Sequence, residues 1–318
     1  MISVVVPVYN GEAVIGTCLR ALQDQDYRGR MEIIVVDDGS TDRSAAVARQ
    51  YRARVLTQAH SGPATARNRG ARSARGEIIL FTDADCEPSR SWVREMLAPF
   101  DDRTVTGVQG AYRSRQPELM ARFSQIEIED RYTRMRSFTT IDFIGTYAAA
   151  YRKSAFPGFD ETFTAASGED SELSFRLAAQ GKKLVFAPRA VVYHRHPSTL
   201  GDYLRVKFWR AYWRVPLYRK HASKMASETY TPQALKAQIG LVGLVVLFAA
   251  GSLVRDDLLF GAGAAYLLLV VSTLPFAFRA VRKDVAVGAA SLAILQLRAL
   301  VFALGLVEGF IRAPRRAA

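Results

Sequence analysis

The sequence contains little cysteine and little lysine. Its two cysteines, Cys18 and Cys86, lie far apart and form no metal-binding or redox motif, which indicates small buried side chains in a reducing compartment. Only eight lysines are present, so arginine supplies most of the 43 basic side chains. These exceed the 30 acidic side chains and give a net charge of +13.

No signature of a nucleic-acid-binding protein accompanies this positive charge. Helix-turn-helix, zinc-finger and RNA-binding motifs are missing from the sequence, so we expect no nucleic-acid partner. A basic chain also suits anionic lipids and phosphorylated substrates. The first residues resemble a strand and not a signal peptide, and we therefore expect the first two-thirds of the chain to be cytosolic.

Long apolar segments occupy the last third of the chain. Residues 239–254 and 258–278 carry no charge, and residues 285–307 are apolar except for Gln296 and Arg298. A helix needs about 20 apolar residues to cross a bilayer. We therefore expect two transmembrane helices, or three if the third segment crosses the bilayer despite Arg298 near its middle. Buried helices of a soluble domain are the alternative.

The charges around these segments predict their orientation. The loop 279–284 is basic, whereas the loop 255–257 is mixed in charge. The positive-inside rule places the basic loop and the large N-terminal part in the cytoplasm, as in a multi-pass protein of the plasma membrane. A third span would put the basic tail 312–316 outside, against this rule. An interfacial or re-entrant third segment would remove the conflict.

Two acidic pairs close short apolar runs in the N-terminal part. Asp37 and Asp38 follow one run, and Asp83 and Asp85 follow another. Such β-branched runs are typical of buried parallel strands, at whose carboxyl ends ligands bind. Carboxylates one residue apart suit a hard divalent cation that also binds phosphate oxygens. The pattern predicts a nucleotide–metal site.

Strand-like and helix-like segments alternate four times over roughly the first 100 residues, which predicts an α/β, doubly wound, mostly parallel sheet. Pro88 is predicted to open a helix after the fourth strand. We divide the chain into a catalytic domain (1–198), a basic aromatic segment (199–233) and a membrane domain (234–318).

The basic aromatic segment interleaves cations with rings. Its basic residues lie at positions 205, 207, 210, 214, 219, 220 and 224, between Tyr203, Trp209, Tyr212, Trp213 and Tyr218. Aromatic rings and arginines just before an apolar segment fit helices that lie in the headgroup layer. We expect Trp209, Arg210 and Arg214 to contact an acceptor or lipid. A solvated basic helix with core aromatics is the alternative.

Five short motifs occur in order and carry a family resemblance. They are Pro7-Val8-Tyr9-Asn10, the block 37–42, Ala66-Arg67-Asn68 with Gly70, Asp83-Ala84-Asp85 and Gly168-Glu169-Asp170. Together they make residues 1–200 resemble an inverting family 2 glycosyltransferase of the GT-A fold, membrane-anchored and non-processive. Each motif alone is weak evidence for the family, whereas all five in this order form a specific signal.

The resemblance implies a site for a nucleotide diphosphate sugar. Pro7, Tyr9 and Asn10 would line the nucleobase pocket, and Asp38 would hydrogen-bond a uracil-type imide, which favours a UDP-linked donor. Arg67 would meet the diphosphate or the base, since a guanidinium suits phosphate. Simple packing of Tyr9 and a surface position for Arg67 are the alternatives.

The resemblance also implies a divalent metal, Mg²⁺ or Mn²⁺, as cofactor. Asp85 would bind it, with Asp83 directed toward the ribose or a metal-bound water. His194 or His196 would bring one imidazole to the metal or the diphosphate. A structural carboxylate pair and a structural histidine are the alternatives.

Inversion by a single displacement needs a base that removes the acceptor's proton. The resemblance assigns this role to Asp170, at the start of a predicted helix, and has Glu169 orient the acceptor or the base. Arg176 would pair with a carboxylate of the site or meet the acceptor. A purely capping Asp170 is the alternative.

A motif of processive family members is missing. They carry Gln-x-x-Arg-Trp after the base, whereas this chain has Phe208-Trp209-Arg210, so we expect transfer of one sugar. The membrane segments suggest a lipid-linked acceptor, such as a polyprenyl phosphate or a lipid-linked saccharide.

Three other readings of the chain compete with the glycosyltransferase. A nucleotidyltransferase would need a Gly-rich basic loop that residues 7–11 do not supply. A receiver-like Mg²⁺-binding signalling module leaves Gly168-Glu169-Asp170 without a role. A non-catalytic membrane scaffold would not need all of the acidic motifs named above.

Overall fold

In the computed structural model, which describes residues 1–163, 168–226 and 228–313, the β-branched runs form one eight-stranded sheet. Its strands are β1 (Ile2–Val8), β2 (Met31–Asp37), β3 (Arg54–Thr57), β4 (Ile78–Phe81), β5 (Glu87–Pro88), β6 (Val105–Arg113), β7 (Ala149–Arg152) and β8 (Lys183–Tyr193). Their order across the sheet is β3-β2-β1-β4-β7-β6-β8-β5. Part of the predicted basic tail, after residue 313, lies outside the described residues.

The strand pairing confirms a mostly parallel sheet. β1 pairs in parallel with β2 and β4, β2 with β3, and β6 with β8, while β7 runs antiparallel between β4 and β6. Pro7 lies opposite Val36, and Val8 lies opposite Asp37. The carboxyl ends of β1, β2 and β4 therefore meet at one edge, which places the loops after them side by side.

Helices cover both faces of the sheet, as a doubly wound fold requires. They are α1 (Ile15–Gln23), α2 (Ser44–Ala48), α3 (Pro63–Ser73), α4 (Trp92–Leu97), α5 (Leu119–Met135) and α6 (Glu169–Ala179). Short 3₁₀ helices occupy Ala98–Asp101, Thr146–Ala148 and Lys153–Ala155. One hydrophobic core lies beneath α1, α2 and α4, and a second lies beneath α3, α5 and α6. Both cysteines are free and buried, as predicted.

The helix predicted to open at Pro88 begins at Trp92 instead. Glu87 and Pro88 form the edge strand β5, antiparallel to β8, with Glu87 opposite Tyr193. Proline lacks the N–H that a central strand must donate, but an edge strand tolerates it.

Five helices follow the sheet: α7 (Leu200–Lys220), α8 (Ala222–Ala226), α9 (Gln233–Gly251), α10 (Leu258–Val281) and α11 (Val285–Arg312). α9, α10 and α11 are long and apolar enough to cross a membrane. α9 and α10 pack as an antiparallel hairpin, in which Gln238 donates to the carbonyl of Ser272 at 3.3 Å.

Candidate active site

The loops after β1 and β2 form one wall of the site. Asn10 adopts a left-handed conformation (φ 49°), and its side-chain oxygen accepts a hydrogen bond from the backbone N–H of Thr41 at 2.8 Å. Tyr9 is 48% exposed and stacks on His60, with 4.0 Å between ring centroids. An exposed, braced ring offers an apolar face to a planar ligand. Tyr9 and Asn10 therefore lie at the predicted donor pocket.

Asp38 is buried, and donors from the protein already surround its carboxylate. One oxygen accepts from Gln58 at 2.7 Å and from the N–H of Ser61 at 2.9 Å. The other accepts from the N–H of Gly62 at 2.9 Å and lies 3.0 Å from Nδ1 of His60. These bonds fix the chain entering α3, and the contact of Asp38 with a nucleobase stays a prediction.

Arg67 joins two of the predicted acidic motifs. Its terminal nitrogens donate to Asp83 at 2.7 Å and to Glu169 at 2.9 Å, and its side chain is 4% exposed. Gly70 lets α3 approach the sheet closely, because a Cβ there would lie 2.3 Å from Cγ1 of Val5. Arg67 is thus held beneath the strand ends, and a surface position is excluded.

Two buried polar atoms beside this bridge have no hydrogen-bond partner within the described residues. They are Nε of Arg67 and Oε2 of Glu169. A buried unpaired polar group costs about 1–3 kcal/mol. A polar ligand that pairs with these atoms would relieve this cost, which marks the bridge as part of a binding site.

The oxygen donors beside Arg67 fit a hard divalent cation. Ligand atoms of Asp83, Asp85 and Cys86 lie within 4.8 Å of one another. Burial raises the pKa of Cys86 well above its ordinary value, so its thiol stays neutral and the two carboxylates remain as donors. Both are partly exposed, and Mg²⁺ and Mn²⁺ prefer such oxygen ligands.

His194 is the predicted imidazole that reaches this group. Its Nε2 lies 3.1 Å from Oδ2 of Asp85. Burial alone would raise the pKa of Asp85, but the hydrogen bond and charge of His194, together with hydrogen bonds from its own backbone and Cys86, outweigh burial and hold the pKa of Asp85 below its ordinary value. Asp85 is therefore ionised at neutral pH.

His196 is directed elsewhere. The ring Nε2 of His196 lies 3.1 Å from the side-chain oxygen of Gln125, and its backbone N–H donates to the side-chain oxygen of Gln116 at 2.6 Å. Burial lowers the pKa of His196 to about 4, which keeps the ring neutral. These contacts make His196 a structural residue.

The predicted base motif begins α6. Gly168 has a φ of 109°, a conformation that favours glycine, and Glu169 and Asp170 occupy the first turn of the helix. Burial and the charge of Asp170 raise the pKa of Glu169 to about 7, and burial also raises the pKa of Asp170. A carboxylate with a raised pKa is a better proton acceptor. Glu169 faces Arg67, and Asp170 faces a cavity.

This cavity extends from the carboxylates toward the C-terminal helices. Its acidic end contains Asp83, Glu169 and Asp170. A second part of the lining, which we call the cationic middle, contains Arg131, Lys207, Arg210 and Arg214, and an apolar part contains Trp213, Leu217, Tyr230, Leu235 and Phe302. The lining therefore combines an anionic, a cationic and an apolar part.

The four residues predicted at the acceptor divide into two groups. Arg210 and Arg214 line the cavity, and Arg214 pairs with Glu228 at 2.9 Å. Trp209 is 47% exposed and does not line it. Arg176 is also absent from the lining, since it donates to Glu172 and to the carbonyl of Gly158, both at 2.8 Å.

A buried cluster beside the cavity was not predicted from the sequence. We call it the Glu127 cluster: Glu127, Arg131, Tyr203, Lys207 and Arg298. Glu127 accepts from Arg131 at 2.9 Å, from Lys207 and Arg298 at 2.7 Å and from Tyr203 at 3.2 Å.

The Glu127 cluster holds more positive than negative charge. Burial would raise the pKa of Glu127, but Lys207 and Arg131 hold it well below its ordinary value, and burial lowers the pKa of Lys207. Even with a neutral Lys207, two guanidinium groups face one carboxylate. The spacing of Glu127 and Arg131, four residues apart on one helix, is the local signal that sequence reasoning could have used.

Comparisons with known proteins agree with this geometry. Residues 3–158 match the family model described as Glycosyl transferase family 2. The Pre-mycofactocin glycosyltransferase of Mycobacterium tuberculosis (strain ATCC 25618 / H37Rv) is 32% identical over 75% of this chain and 52% of its own length. The Probable glycosyltransferase YdaM of Bacillus subtilis (strain 168) is 29% identical over 67% and 53%. The chain spans about half the length of these relatives.

Solved structures show the same fold. The mannosyltransferase PcManGT from Pyrobaculum calidifontis, in complex with GDP-Man and Mn²⁺, matches 97% of this chain and 86% of its own, with a TM-score of 0.62 and 21% identity. Glucosyl-3-phosphoglycerate synthase from Mycobacterium tuberculosis matches 68% and 79%, with a TM-score of 0.51 and 19% identity. The chain has the GT-A fold, and its residues 3–158 form a glycosyltransferase family 2 domain.

Proposed function

We propose that the protein is an inverting, metal-dependent glycosyltransferase that moves one sugar from a UDP-linked donor to a lipid-linked acceptor. A polyprenyl phosphate or a lipid-linked saccharide has the required chemistry. The donor binds at the strand ends beside Asp83 and Asp85, and the acceptor enters from the C-terminal helices.

The observation that carries this proposal is the continuity of two cavities. The cavity with the catalytic carboxylates shares Arg214, Thr231, Leu235 and Phe302 with a second, apolar groove. That groove is also lined by Val215, Ile239, Leu306 and Phe310, on α7, α9 and α11. A ligand with a polar head and an apolar chain fits both parts at once.

The cationic middle of the cavity favours an anionic head. Nε of Arg131 is buried without a hydrogen-bond partner within the described residues, and Lys207 is buried beside it. A phosphate or diphosphate group would supply acceptors for these donors and balance the charge of the Glu127 cluster. A neutral acceptor such as a diacylglycerol would supply no anionic acceptors for these donors and would not balance the charge of the Glu127 cluster.

The residues at the acidic end have separate roles in sugar transfer. Asp170 takes the proton of the acceptor oxygen, which is a saccharide hydroxyl or the P–OH of a phosphate monoanion, as that oxygen bonds to the anomeric carbon and the bond to the nucleoside diphosphate breaks. Arg67 binds the diphosphate and keeps Glu169 in place. Asp83 and Asp85, with His194 nearby, would hold Mg²⁺ or Mn²⁺, which neutralises charge on the leaving diphosphate when bound. PcManGT was solved with Mn²⁺ and a nucleotide sugar, which supports this assignment.

We also propose a location: the plasma membrane, with several passes and the catalytic domain in the cytoplasm. The three C-terminal helices supply the apolar length. The basic loop after α10 stays beside the catalytic domain, because Arg279 bonds Asp130 at 2.7 Å and Lys283 bonds Glu129 at 2.5 Å. A basic loop and the domain on one side agree with the positive-inside rule.

A donor panel tests the proposal. Melting of the detergent-solubilised full chain is followed with UDP-, GDP- and dTDP-sugars, each with Mn²⁺ or with EDTA. A ligand that binds only the folded protein raises its melting temperature. We expect a rise with one UDP-sugar and Mn²⁺ that EDTA removes and that Asp85→Asn abolishes, whereas Asp101→Asn, at an exposed carboxylate, retains it.

Two results would contradict this proposal in different ways. A rise with GDP-sugars alone would overturn the uridine assignment while leaving a glycosyltransferase. No rise with any donor at any metal concentration would favour the non-catalytic scaffold.

A further inference from the structure

The side chain of His60 contacts both residues that are predicted to bind the nucleobase. His60 lies in the loop between β3 and α3, and its imidazole stacks on the phenol ring of Tyr9, with 4.0 Å between ring centroids and 26° between ring planes. Its Nδ1 lies 3.0 Å from Oδ2 of Asp38 and 3.1 Å from the backbone oxygen of the same residue. One planar ring of the protein therefore makes the stacking contact and the polar contact together.

The imidazole of His60 and a uracil base offer the same chemistry to these two residues. Because Nδ1 faces two oxygen acceptors, the form of the ring with hydrogen on Nδ1 is favoured, and this N–H donates to Asp38. Uracil is also a flat ring with an N–H in its plane. Either ring stacks on an aromatic face while its N–H donates to a carboxylate. His60 thus makes the contacts that the base is predicted to make.

The carboxylate of Asp38 has as many donors as it accepts. Oδ1 accepts from the side chain of Gln58 at 2.7 Å and from the backbone N–H of Ser61 at 2.9 Å. Oδ2 accepts from the backbone N–H of Gly62 at 2.9 Å and from His60. Two donors on each oxygen fill the roughly four lone-pair sites of a carboxylate. A nucleobase N–H bonds Asp38 only if one of these donors leaves.

His60 is the donor that leaves most easily. The N–H groups of Ser61 and Gly62 belong to the backbone of a loop that packs closely on Gly39, where a Cβ would lie 2.8 Å from the backbone nitrogen of His60. The side chain of Gln58 is partly buried. The side chain of His60 is 56% exposed, and its rotation to another rotamer needs no movement of the backbone.

The backbone on either side of Tyr9 is fixed. Val8 pairs with Asp37 in the sheet, and the N–H of Asn10 donates to Oγ of Ser40 at 3.0 Å. The phenol ring therefore stays at the edge of the sheet, and the imidazole is the partner of the stacked pair that is free to rotate.

The opposite face of Tyr9 does not offer the same pair of contacts. A base stacked there would have the phenol ring between itself and the imidazole that bonds Asp38. It would keep the stacking contact without taking the place of His60 at Oδ2. A base that makes both contacts therefore lies where the ring of His60 lies.

We propose that His60 competes with the nucleobase of the donor for Tyr9 and Asp38, and that its side chain rotates out of this position when the nucleotide binds. A ligand that needs a less populated rotamer binds more weakly by the fraction of chains in which that rotamer is present. His60 therefore lowers the affinity for the donor. Because this role rests on the proposed donor site, its test also includes a ligand without a base.

Calorimetric titration of the full chain in detergent tests the competition. The ligands are UDP and pyrophosphate, each with Mn²⁺, and pyrophosphate measures the diphosphate contacts without those of the base. In His60→Ala we expect the Kd for UDP to fall by about three- to tenfold, as for a competing rotamer that most chains adopt. The Kd for pyrophosphate should not change. Gln50→Ala, at an exposed position of the same domain, is the control and should change neither Kd.

The two ligands separate failure of the competition from failure of the donor site. An unchanged Kd for UDP in His60→Ala would overturn the competition, and a higher Kd would make His60 a support of the base instead. An equal change for UDP and pyrophosphate would place the effect of His60 at the diphosphate and would also overturn it. If neither ligand binds the parent chain or the variant, the proposed donor site itself fails.

The position of the His60 ring provides a second test. The chain contains four histidines, so ¹³C-labelled imidazoles give few NMR signals, and the signal missing in His60→Ala belongs to His60. Stacking on Tyr9 should shift the ring protons of His60 upfield. Saturating UDP with Mg²⁺ should remove this shift, as should Tyr9→Ala without nucleotide, whereas pyrophosphate should leave it in place. An upfield shift that persists at saturating UDP would contradict displacement of the ring.

Discussion

The two ends of the cavity are built in opposite ways. At the donor end, short loops that follow β1, β2 and β4 bring Tyr9, Asp38 and Asp83 to one edge of the sheet. At the acceptor end, α5, α7, α9 and α11 meet, and the bond between Glu127 and Arg298 joins residues 171 positions apart. Local chain geometry places the first set, and tertiary packing places the second.

The two ends also differ in charge. Arg67 pairs with the carboxylates of Asp83 and Glu169 and also interacts with the charge of Asp170, whereas in the Glu127 cluster three basic side chains face one carboxylate. An acidic end suits a metal and a proton acceptor, and a basic end suits an anionic acceptor. In the proposed function, the polarity of one cavity separates the donor side from the acceptor side, so variants at each end should affect different steps.

Asp170→Asn should have the largest effect on turnover. The amide cannot accept the acceptor's proton, so kcat should fall by about 10²–10⁴-fold. Donor affinity, measured by titration calorimetry, should change less than twofold. Asp101→Asn removes an exposed carboxylate as the control. Normal turnover in Asp170→Asn would remove Asp170 as the base.

Glu127→Gln should have the largest effect on stability. It leaves Arg131, Lys207 and Arg298 buried without their counter-ion, and breaking a buried pair costs about 3–5 kcal/mol. Glu129→Gln, on the same helix, breaks an exposed pair with Lys283 and should cost about 0–1 kcal/mol. Chemical denaturation in detergent measures both. Equal losses in the two variants would show that the cluster is not a buried charge centre.

Lys207→Met should affect the acceptor and spare the donor. It removes the hydrogen-bond-donating amino group of Lys207 from the cavity, while Glu127 keeps Arg131 and Arg298. We expect the KM for an anionic acceptor to rise about tenfold, the equivalent of one charge-assisted hydrogen bond, with the donor KM unchanged. Lys182→Met, at an exposed lysine, is the control. A rise in donor KM instead would place Lys207 on the donor side.

Glu169→Gln should change folding stability by less, and the change should depend on pH. The folded pKa of Glu169 is raised to about 7, chiefly by burial, above its ordinary value of 4.5. The folded chain therefore holds this proton more tightly than the unfolded chain, and the resulting stability is lost as pH rises from 4.5 through 7.

The variant should remove this loss. Its melting temperature minus that of the parent chain, measured without ligands, should be near constant below pH 4.5 and increase up to pH 7. A difference that does not change with pH would contradict the raised pKa.

The sequence predicts which residues meet at the carboxyl ends of the strands, because the signals for them are local. Apolar runs closed by carboxylates identify strand ends, and the order of motifs identifies the neighbours of Arg67 and Asp85. The error at Pro88 is local too: the same proline suits a helix start or an edge strand, and only pairing with β8 decides between them.

The acceptor end could not be predicted in the same way. Arg298 appears in the sequence as an interruption of an apolar run, and its partner Glu127 is far away in the chain. Arg176 is predicted near the acceptor, yet its guanidinium pairs one helical turn back with Glu172. Long-range packing of helices decides which basic side chains face the cavity.

Transfer to a defined lipid tests the proposed cavity most directly. The full chain in detergent is incubated with Mn²⁺, a radiolabelled UDP-sugar and either a short polyprenyl phosphate or the matching polyprenol. We expect label in the organic-solvent extract with the phosphate, at least tenfold less with the alcohol, and at least about a hundredfold less with Asp170→Asn. Equal labelling of phosphate and alcohol, or label confined to water-soluble products, would contradict an acceptor held by the cationic middle and the apolar groove.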